Sequence, residues 1–314
     1  MKKNVLIVTG PTATGKTALS VSLAQRLGGE IISADSMQIY SEMQIGTARP
    51  TKEEMGNIPH HLLGFLPPNQ EYTAARYRSD AFAVIQKLLD RDVLPIVDGG
   101  TGLYIHALTY DLDFSGAAPD EDFRREMEQL CEEKGKEYIH GLLAEKDPAA
   151  AKRIHYNDIK RVIRALEIAR LPEEKRNSFQ FRKENGEYNF LMIGLTKERA
   201  RLYADIERRI DQMMEQGLEA EARRLYDNYG PEIQAFSAIG YKEFLPYFHG
   251  EESLDQAVEQ LKKNTRHFAK RQMTWFRREP RIQWFFADSY ESFAGLESDV
   301  MQWIEKGLKE QKQR

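Results

Sequence analysis

Gly10-Pro11-Thr12-Ala13-Thr14-Gly15-Lys16-Thr17 follows the pattern G-x-x-x-x-G-K-[ST], a spacing whose chemistry is phosphate binding. Its glycines let the backbone wrap an anion with several N–H groups turned inward, and the helix it opens adds a positive N-terminal end. Lys16 supplies a mobile charge for the terminal phosphate, and the Thr17 hydroxyl is a ligand for Mg2+ bridging two phosphates. Backbone donors read charge and spacing only, so a nucleotide and a diphosphate ester fit the loop equally. Asp98 ends an apolar run, where a second, metal-supporting acid belongs, acting through water. Gly99 and Gly100 follow it in place of another acid, which argues against an ATP-driven motor. A third group is Asp35, which opens Asp35-Ser36-Met37-Gln38-Ile39-Tyr40. A carboxylate there can take a proton from a nucleophile, or it simply caps a turn. Gly99-Gly100-Thr101-Gly102 forms a further loop-to-helix junction that puts the Thr101 hydroxyl within reach of a ligand.

These groups need a scaffold that brings loop ends together. Residues 4–8 are an unbroken apolar run, the pattern of a strand buried on both faces of a parallel sheet. Leu19, Leu23 and Leu27 then repeat at helical spacing, and Gly28-Gly29 stops the helix. Ile31-Ile32 leads to Asp35 as a second strand, and 93–97 leads to Asp98 as a third, although Pro95 removes a ladder donor there. Further strands are expected at 190–195 and 282–286. Between 113 and 190 the texture is helical and rich in Glu, Lys, Arg and Ala. The expected fold class is α/β: a P-loop NTPase-like core with a parallel sheet and flanking helices, made of 1–112 and 191–314, plus a mostly helical inserted domain at 113–190. Open sheets of this kind bind ligands at the carboxyl ends of their strands.

The 314 residues carry a net charge of −4 with 30% charged and 41% hydrophobic side chains, and a mean hydropathy of −0.61. That composition excludes disordered, collagen-like and disulfide-rich classes. No apolar stretch approaches the ~20 residues of a membrane crossing, so no membrane partner is expected, and the location expected is cytoplasmic. Cys131 is the one cysteine, so neither an internal disulfide nor a multi-cysteine zinc site is possible, and its Glu- and Lys-rich helix makes it inert. His60-His61 diverge as neighbours and have no further ligand at a suitable spacing, so no metal is assigned to them. The average charge hides its distribution. Lys262, Lys263, Arg266, Lys270, Arg271, Arg277, Arg278 and Arg281 stand against the single acid Glu279, and eight bases lie between Lys152 and Arg176 against four acids. Such strips dock a polyanion, or serve as ordinary solvated helix faces.

Seven ordered blocks, G-P-T-A-T-G-K-T, D-S-M-Q-I-Y, I-P-H-H-L, D-G-G-T-G-L-Y, N-D-I-K-R-V-I-R-A-L-E, A-I-G-Y-K-E and K-R-Q-M-T-W-F-R, resemble the bacterial tRNA dimethylallyltransferases and cover Gly10 to Arg277. The resemblance implies an enzyme that moves a dimethylallyl group from dimethylallyl diphosphate to the exocyclic amine of the adenosine 3′ of the anticodon, in tRNAs reading codons that start with U. It implies the P-loop for the diphosphate with Mg2+, Asp35 as general base, Thr101 holding the reacting groups, and Ser36, Met37 and Gln38 around the base. It implies tRNA contacts at Phe123, Arg124, Ile159, Lys160, Arg161, Val162, Ile163 and Arg164 in the insert, and at Gly240, Tyr241, Lys242, Arg271 and Arg277 in the core. A monomer is the default. Two positions depart from the family pattern: Lys160 replaces a usual Gln, and Ser237 stands where an Arg is common. Both bear on RNA contacts, not on the reaction. The P-loop alone would also suit a small-molecule kinase or a non-catalytic RNA-binding protein.

Overall fold

The structure is a computed structural model that describes residues 3–112, 120–171 and 183–312. Chain contacts separate two compact units, 1–109 with 185–314, and 110–184.

The first unit is built on six parallel strands: β1 (Lys3–Thr9), β2 (Gly29–Ser33), β3 (His60–His61), β4 (Leu94–Gly99), β5 (Tyr188–Thr196) and β6 (Ile282–Phe286), in the spatial order β3-β2-β4-β1-β5-β6. The period-2 alternation of β1 sends Val5 and Ile7 to one face and Leu6 and Val8 to the other. The Val5 face packs on α2 (Ala74–Leu89), α3 (Gly102–Thr109), α8 (Arg199–Glu215), α9 (Leu218–Tyr229) and α11 (Leu254–Phe276). The Leu6 face packs on α1 (Lys16–Leu27) and α12 (Phe293–Lys312). A short α10 (Leu245–Phe248) precedes α11, which starts on a capping box of Ser253 and Gln256. Burial of every strand in the middle of the sheet explains why they read as continuous apolar runs. Pro95 is tolerated in a central strand because the ladder to β1 starts only at Leu6↔Ile96, one residue later. His60 and His61 form the edge strand, with His60 Nδ1 on Ile58 O at 2.8 Å and His61 Nε2 on Glu30 Oε2 at 2.7 Å.

The second unit contains α4 (Glu121–Lys134), α5 (Lys136–Lys146), α6 (Pro148–Arg153) and α7 (Ile159–Ala169) around its own small core. Its C-terminal edge falls earlier than the expected 190, because β5 already pairs Tyr188 with Lys3; residues 185–190 belong with the sheet. Two expected RNA contacts, Val162 and Ile163, are 0% and 3% exposed in this core, so their side chains are packing groups. The strong apolar stripe of α7 places them there. Arg124 and Arg164 close on the buried Glu167, with Arg124 Nε–Oε1 at 2.9 Å and Arg164 Nη1–Oε2 at 2.9 Å, while Asp120 N–H also donates to Oε1. Phe123 lies under the Arg170 guanidinium, 4.3 Å from its centre. Lys160 and Arg161 are exposed. Replacing Glu167 by Ala removes its bonds to two half-buried guanidinium groups and to the Asp120 amide, and should cost about 2–3 kcal/mol after screening of the arginines by water. Hydrogen exchange should rise across 120–171 and stay unchanged in the sheet.

Candidate active site

Three loops leave the carboxyl ends of β1, β2 and β4 side by side. The first is the P-loop. Gly10 has φ 138°, and a Cβ there would meet Leu195 O at 2.1 Å, so only glycine lets β1 turn beside β5. Ala13 is also left-handed, at φ 64°, and its carbonyl is held by Lys197 Nζ at 3.2 Å, which is fixed in turn by Asp205 at 2.6 Å. Thr14 Oγ1 donates to Pro11 O at 2.9 Å, and Lys16 Nζ donates to the same carbonyl at 2.7 Å. Thr17 lies in the first turn of α1.

The second and third loops are tied to each other. Ala34 N–H donates to Asp98 O at 2.7 Å and Thr101 N–H to Ala34 O at 3.1 Å. A Cβ on Gly99 would sit 2.3 Å from the Ala34 carbonyl, so this glycine is set by the approach of β4 to β2. Thr101 Oγ1 accepts from Ser36 N–H at 3.0 Å. Asp35 Oδ1 accepts from Met37 N–H at 2.9 Å and Gln38 N–H at 3.3 Å, while Oδ2 takes no hydrogen bond among the described residues. Asp35 is therefore both a turn residue and a carboxylate with an oxygen to spare. Gln38 Nε2 donates to Thr47 O at 3.1 Å and Ala48 O at 3.2 Å, which fixes its side chain.

All three loops open on one cavity of about 320 Å3. Thr12, Ala13, Lys16, Thr17, Asp35, Ser36, Met37, Gln38, Asp98, Thr101, Gly240 and Arg271 line it, and so does Ser237. One wall is apolar, formed by Ile206, Ile210 and Met213 of α8 with Leu261 and Phe268 of α11. Burial pushes the Lys16 ammonium down to about 8, against the opposing pull of Asp98. Burial also pushes Asp98 up to about 6, with Lys16 acting the other way. Asp98 as a residue is only half-buried, because it borders the cavity, yet its Oδ1 is inaccessible and has no hydrogen-bond partner within 3.5 Å among the described residues, the Ser20 hydroxyl lying near the carboxylate.

Several groups in and around this cavity had no role assigned to them from the sequence. Arg209 of α8 lines the cavity, and its guanidinium is held down from its ordinary range by burial, with Glu54 and Asp35 opposing. Gln272, 6% exposed, lies between the P-loop and the Gly100 turn. Glu221, 3% exposed, accepts from the N–H groups of Gln44, Ile45 and Gly46 at 3.0 Å each and from Tyr241 Oη at 2.7 Å. That last bond corrects an expectation. Tyr241 is 0% exposed, and its ring fills the space where a Gly46 side chain would be, so it supports the 44–48 loop and is not open to RNA. Burial and Glu221 push its phenol above the ordinary range. Tyr241→Phe removes a bond to a buried carboxylate and should cost about 1.5–3 kcal/mol, seen as a lower unfolding midpoint.

The basic strip of α11 is also smaller than its composition suggested. Lys262 pairs with Asp211 at 2.7 Å and Arg266 with Glu207, both on α8. Lys263, Lys270, Arg271, Arg277 and Arg278 make no ion pair among the described residues, and Lys242 is exposed.

The parallel sheet, the P-loop and a carboxylate at the adjoining strand end define an α/β enzyme of the P-loop class. Residues 38–279 match the family described as IPP transferase, and 3–64 match isopentenyl transferase. The chain is 47% identical over 292 residues to the tRNA dimethylallyltransferase of Acetivibrio thermocellus, covering 92% of this chain and 93% of that one. With that of Caldanaerobacter subterraneus subsp. tengcongensis it shares 44% identity over 98% and 100%. The crystal structure of tRNA isopentenylpyrophosphate transferase from Bacillus halodurans superposes with a TM-score of 0.76 at 42% identity, covering 99% of both chains. That of a eukaryotic dimethylallyltransferase acting on tRNA gives 0.77 at 29% identity, over 91% of this chain and 74% of that one. The chain belongs to the IPP transferase family, the tRNA dimethylallyltransferases.

Proposed function

We propose that the protein transfers the dimethylallyl group of dimethylallyl diphosphate to the exocyclic amine of the adenosine 3′ of the anticodon in tRNAs reading codons that start with U, acting as a cytoplasmic monomer. The observation that carries this reading is a single cavity lined by an anion-binding loop, by the Asp35–Thr101 pair and by an apolar wall suited to a short branched hydrocarbon.

The amine nitrogen attacks the allylic carbon while the carbon–oxygen bond to diphosphate breaks. The bonding pair leaves with the diphosphate, and the proton of the amine passes to Asp35. An aryl amine is a weak nucleophile, so a carboxylate oxygen that is not consumed by the turn is what this step needs. Thr101, fixed by Ser36 and Ala34, holds the reacting groups, and Ser36, Met37 and Gln38 surround the base, which must leave its stack to enter. Lys16 and Arg209 stabilise the negative charge that grows on the leaving group. The Thr17 hydroxyl and the Asp98 carboxylate both border the cavity and would hold Mg2+, Asp98 through water, and the bound ion would add to that charge neutralisation. The other P-loop residues, Gly10, Pro11, Thr14 and Gly15, shape the cradle.

Lys160, Arg161, Lys242, Arg271 and Arg277 are the exposed residues we assign to tRNA phosphates. Neutralising Arg271 and Arg277 together should lower the slope of log K against log salt by about 1.8; an unchanged slope in a filter-binding titration moves the docking surface elsewhere. A small-molecule kinase would use Lys16 and Asp35 on ATP and a hydroxyl. To separate the two, the protein is incubated with unmodified tRNA, Mg2+ and either labelled dimethylallyl diphosphate or γ-labelled ATP. Label entering tRNA from the prenyl donor alone is the expected result; γ-phosphate transfer, or binding without turnover, overturns the proposal.

A further inference from the structure

Helix α11 reaches the catalytic loops through two side chains, and the glycines of the 99–102 turn record both contacts. A Cβ on Gly102 would lie 2.3 Å from the Trp275 ring, and one on Gly100 would lie 2.2 Å from Gln272 Nε2. Neither glycine has a left-handed φ, so it is the approach of the helix that excludes a side chain. Gln272 makes two bonds from this position. Its Oε1 accepts from the Thr12 N–H in the P-loop at 3.0 Å, and its Nε2 donates to Gly100 O at 2.9 Å.

Those two partners lie on different halves of the chemistry. Thr12 belongs to the loop assigned to the diphosphate, and so to the electrophile. Gly100 precedes Thr101, whose hydroxyl holds Ser36 N–H beside Asp35, and so belongs to the half assigned to the nucleophile. The roots of the two loops are already joined by the β1–β4 ladder at Thr9↔Gly99 and by Thr9 Oγ1 donating to Gly99 O at 3.0 Å; beyond those roots, Gln272 is the side chain that links Thr12 in one loop to Gly100 in the other. A carboxamide is the side-chain group that accepts on one atom and donates from its neighbour at a fixed separation. It is 6% exposed, with the bond to Gly100 buried and the bond to Thr12 part-buried at the cavity edge.

We propose that Gln272 is a positioning residue that sets the register between the diphosphate loop and the Asp35–Thr101 loop. This inference rests on the transferase reading above. Transfer between two bound substrates depends on the approach distance of the reacting atoms, and a misplacement of about 1 Å costs on the order of a hundredfold in rate. Each half still binds its own ligand when the register is lost, so the signature is a fall in kcat with little change in KM.

Gln272→Met keeps the length of the side chain and removes both bonds. The test measures kcat per active site, KM for tRNA and for dimethylallyl diphosphate, and the affinity for an anticodon stem-loop RNA. We expect kcat to fall about 30- to 100-fold, with both KM values and the stem-loop affinity within about threefold of the parent. Gln272→Glu is the second variant. It still accepts from Thr12 but sets a carboxylate against Gly100 O, so kcat should fall again, and the KM for the diphosphate should rise because a negative charge now borders the loop. A kcat within threefold of the parent in either folded variant overturns the proposal, as does a loss that falls equally on KM and stem-loop binding. If Gln272→Met does not fold, Gln272→Glu decides alone. Absence of prenyl transfer by the parent protein, in contrast, would overturn the transferase reading itself.

Discussion

Asp35→Asn should reduce prenyl transfer by 100- to 10,000-fold, the range general-base catalysis supplies, while leaving tRNA affinity within about threefold. The substitution is chosen because the carboxylate has two separable tasks. Its Oδ1 receives the Met37 and Gln38 amides, and an asparagine carbonyl can receive the same two, so the turn stands and the base pocket keeps its shape. What asparagine lacks is the basic oxygen that takes the proton of the amine. Asp35→Ala removes both tasks and would confound loss of the base with collapse of the Ser36–Gln38 loop. Single-turnover rates at saturating tRNA and donor read the chemical step. A variant Asp35→Asn that keeps parental rates places the proton acceptor elsewhere in the cavity. One that loses tRNA binding together with rate makes Asp35 a pocket residue only.

The parts of the site legible in sequence are those whose chemistry follows chain order. The P-loop, Asp35 and Asp98-Gly99-Gly100-Thr101 each sit at the end of an apolar run, and a parallel sheet must bring such ends to one edge. The four central strands were readable for the same reason: burial on both faces leaves no polar alternation to confuse them; the edge strand β6, with Gln283 and Phe286 exposed, was readable from its apolar and aromatic residues alone. The two-residue edge strand of His60 and His61 has no such run, and nothing in its spacing announces pairing with Ile31 and Ile32.

Other residues were missed because they enter the site across the sheet, from helices far along the chain. Arg209 shares a helical face with Leu202, Ile206 and Ile210; Glu221 sits between Leu218 and Leu225; Gln272 sits between Ala269 and Phe276. Each is a polar side chain on the apolar stripe of its helix, a break in pattern that costs stability unless the group is satisfied. That break is a signal available in the sequence, but without the sheet order it does not say where the group points. The converse has the same source. Tyr241, Val162 and Ile163 lie in motifs whose resemblance implied RNA contacts, and their side chains are buried, so in the structure these side chains pack.

Lys16 and Arg209 should each matter more to the transition state than to binding. Diphosphate gains charge as the allylic bond breaks, and a cation fixed beside the leaving oxygens stabilises that state more than the bound donor. Both cations are half-buried at the cavity wall, where water screens them less than at a surface. Lys16→Met should therefore lower kcat by 100- to 1,000-fold, the range found for removal of one preorganised charge-stabilising donor, with a smaller rise in the KM for dimethylallyl diphosphate. Arg209→Met should act in the same direction. The pair should be less than additive, because one remaining cation can shift toward the same oxygens. The contrast lies with Arg271→Ala, whose exposed guanidinium is assigned to RNA phosphate: its effect should fall on tRNA KM and on salt dependence, with kcat preserved. If Lys16→Met raises the donor KM and leaves kcat untouched, the lysine binds the ground state and the charge on the leaving diphosphate is met by other groups.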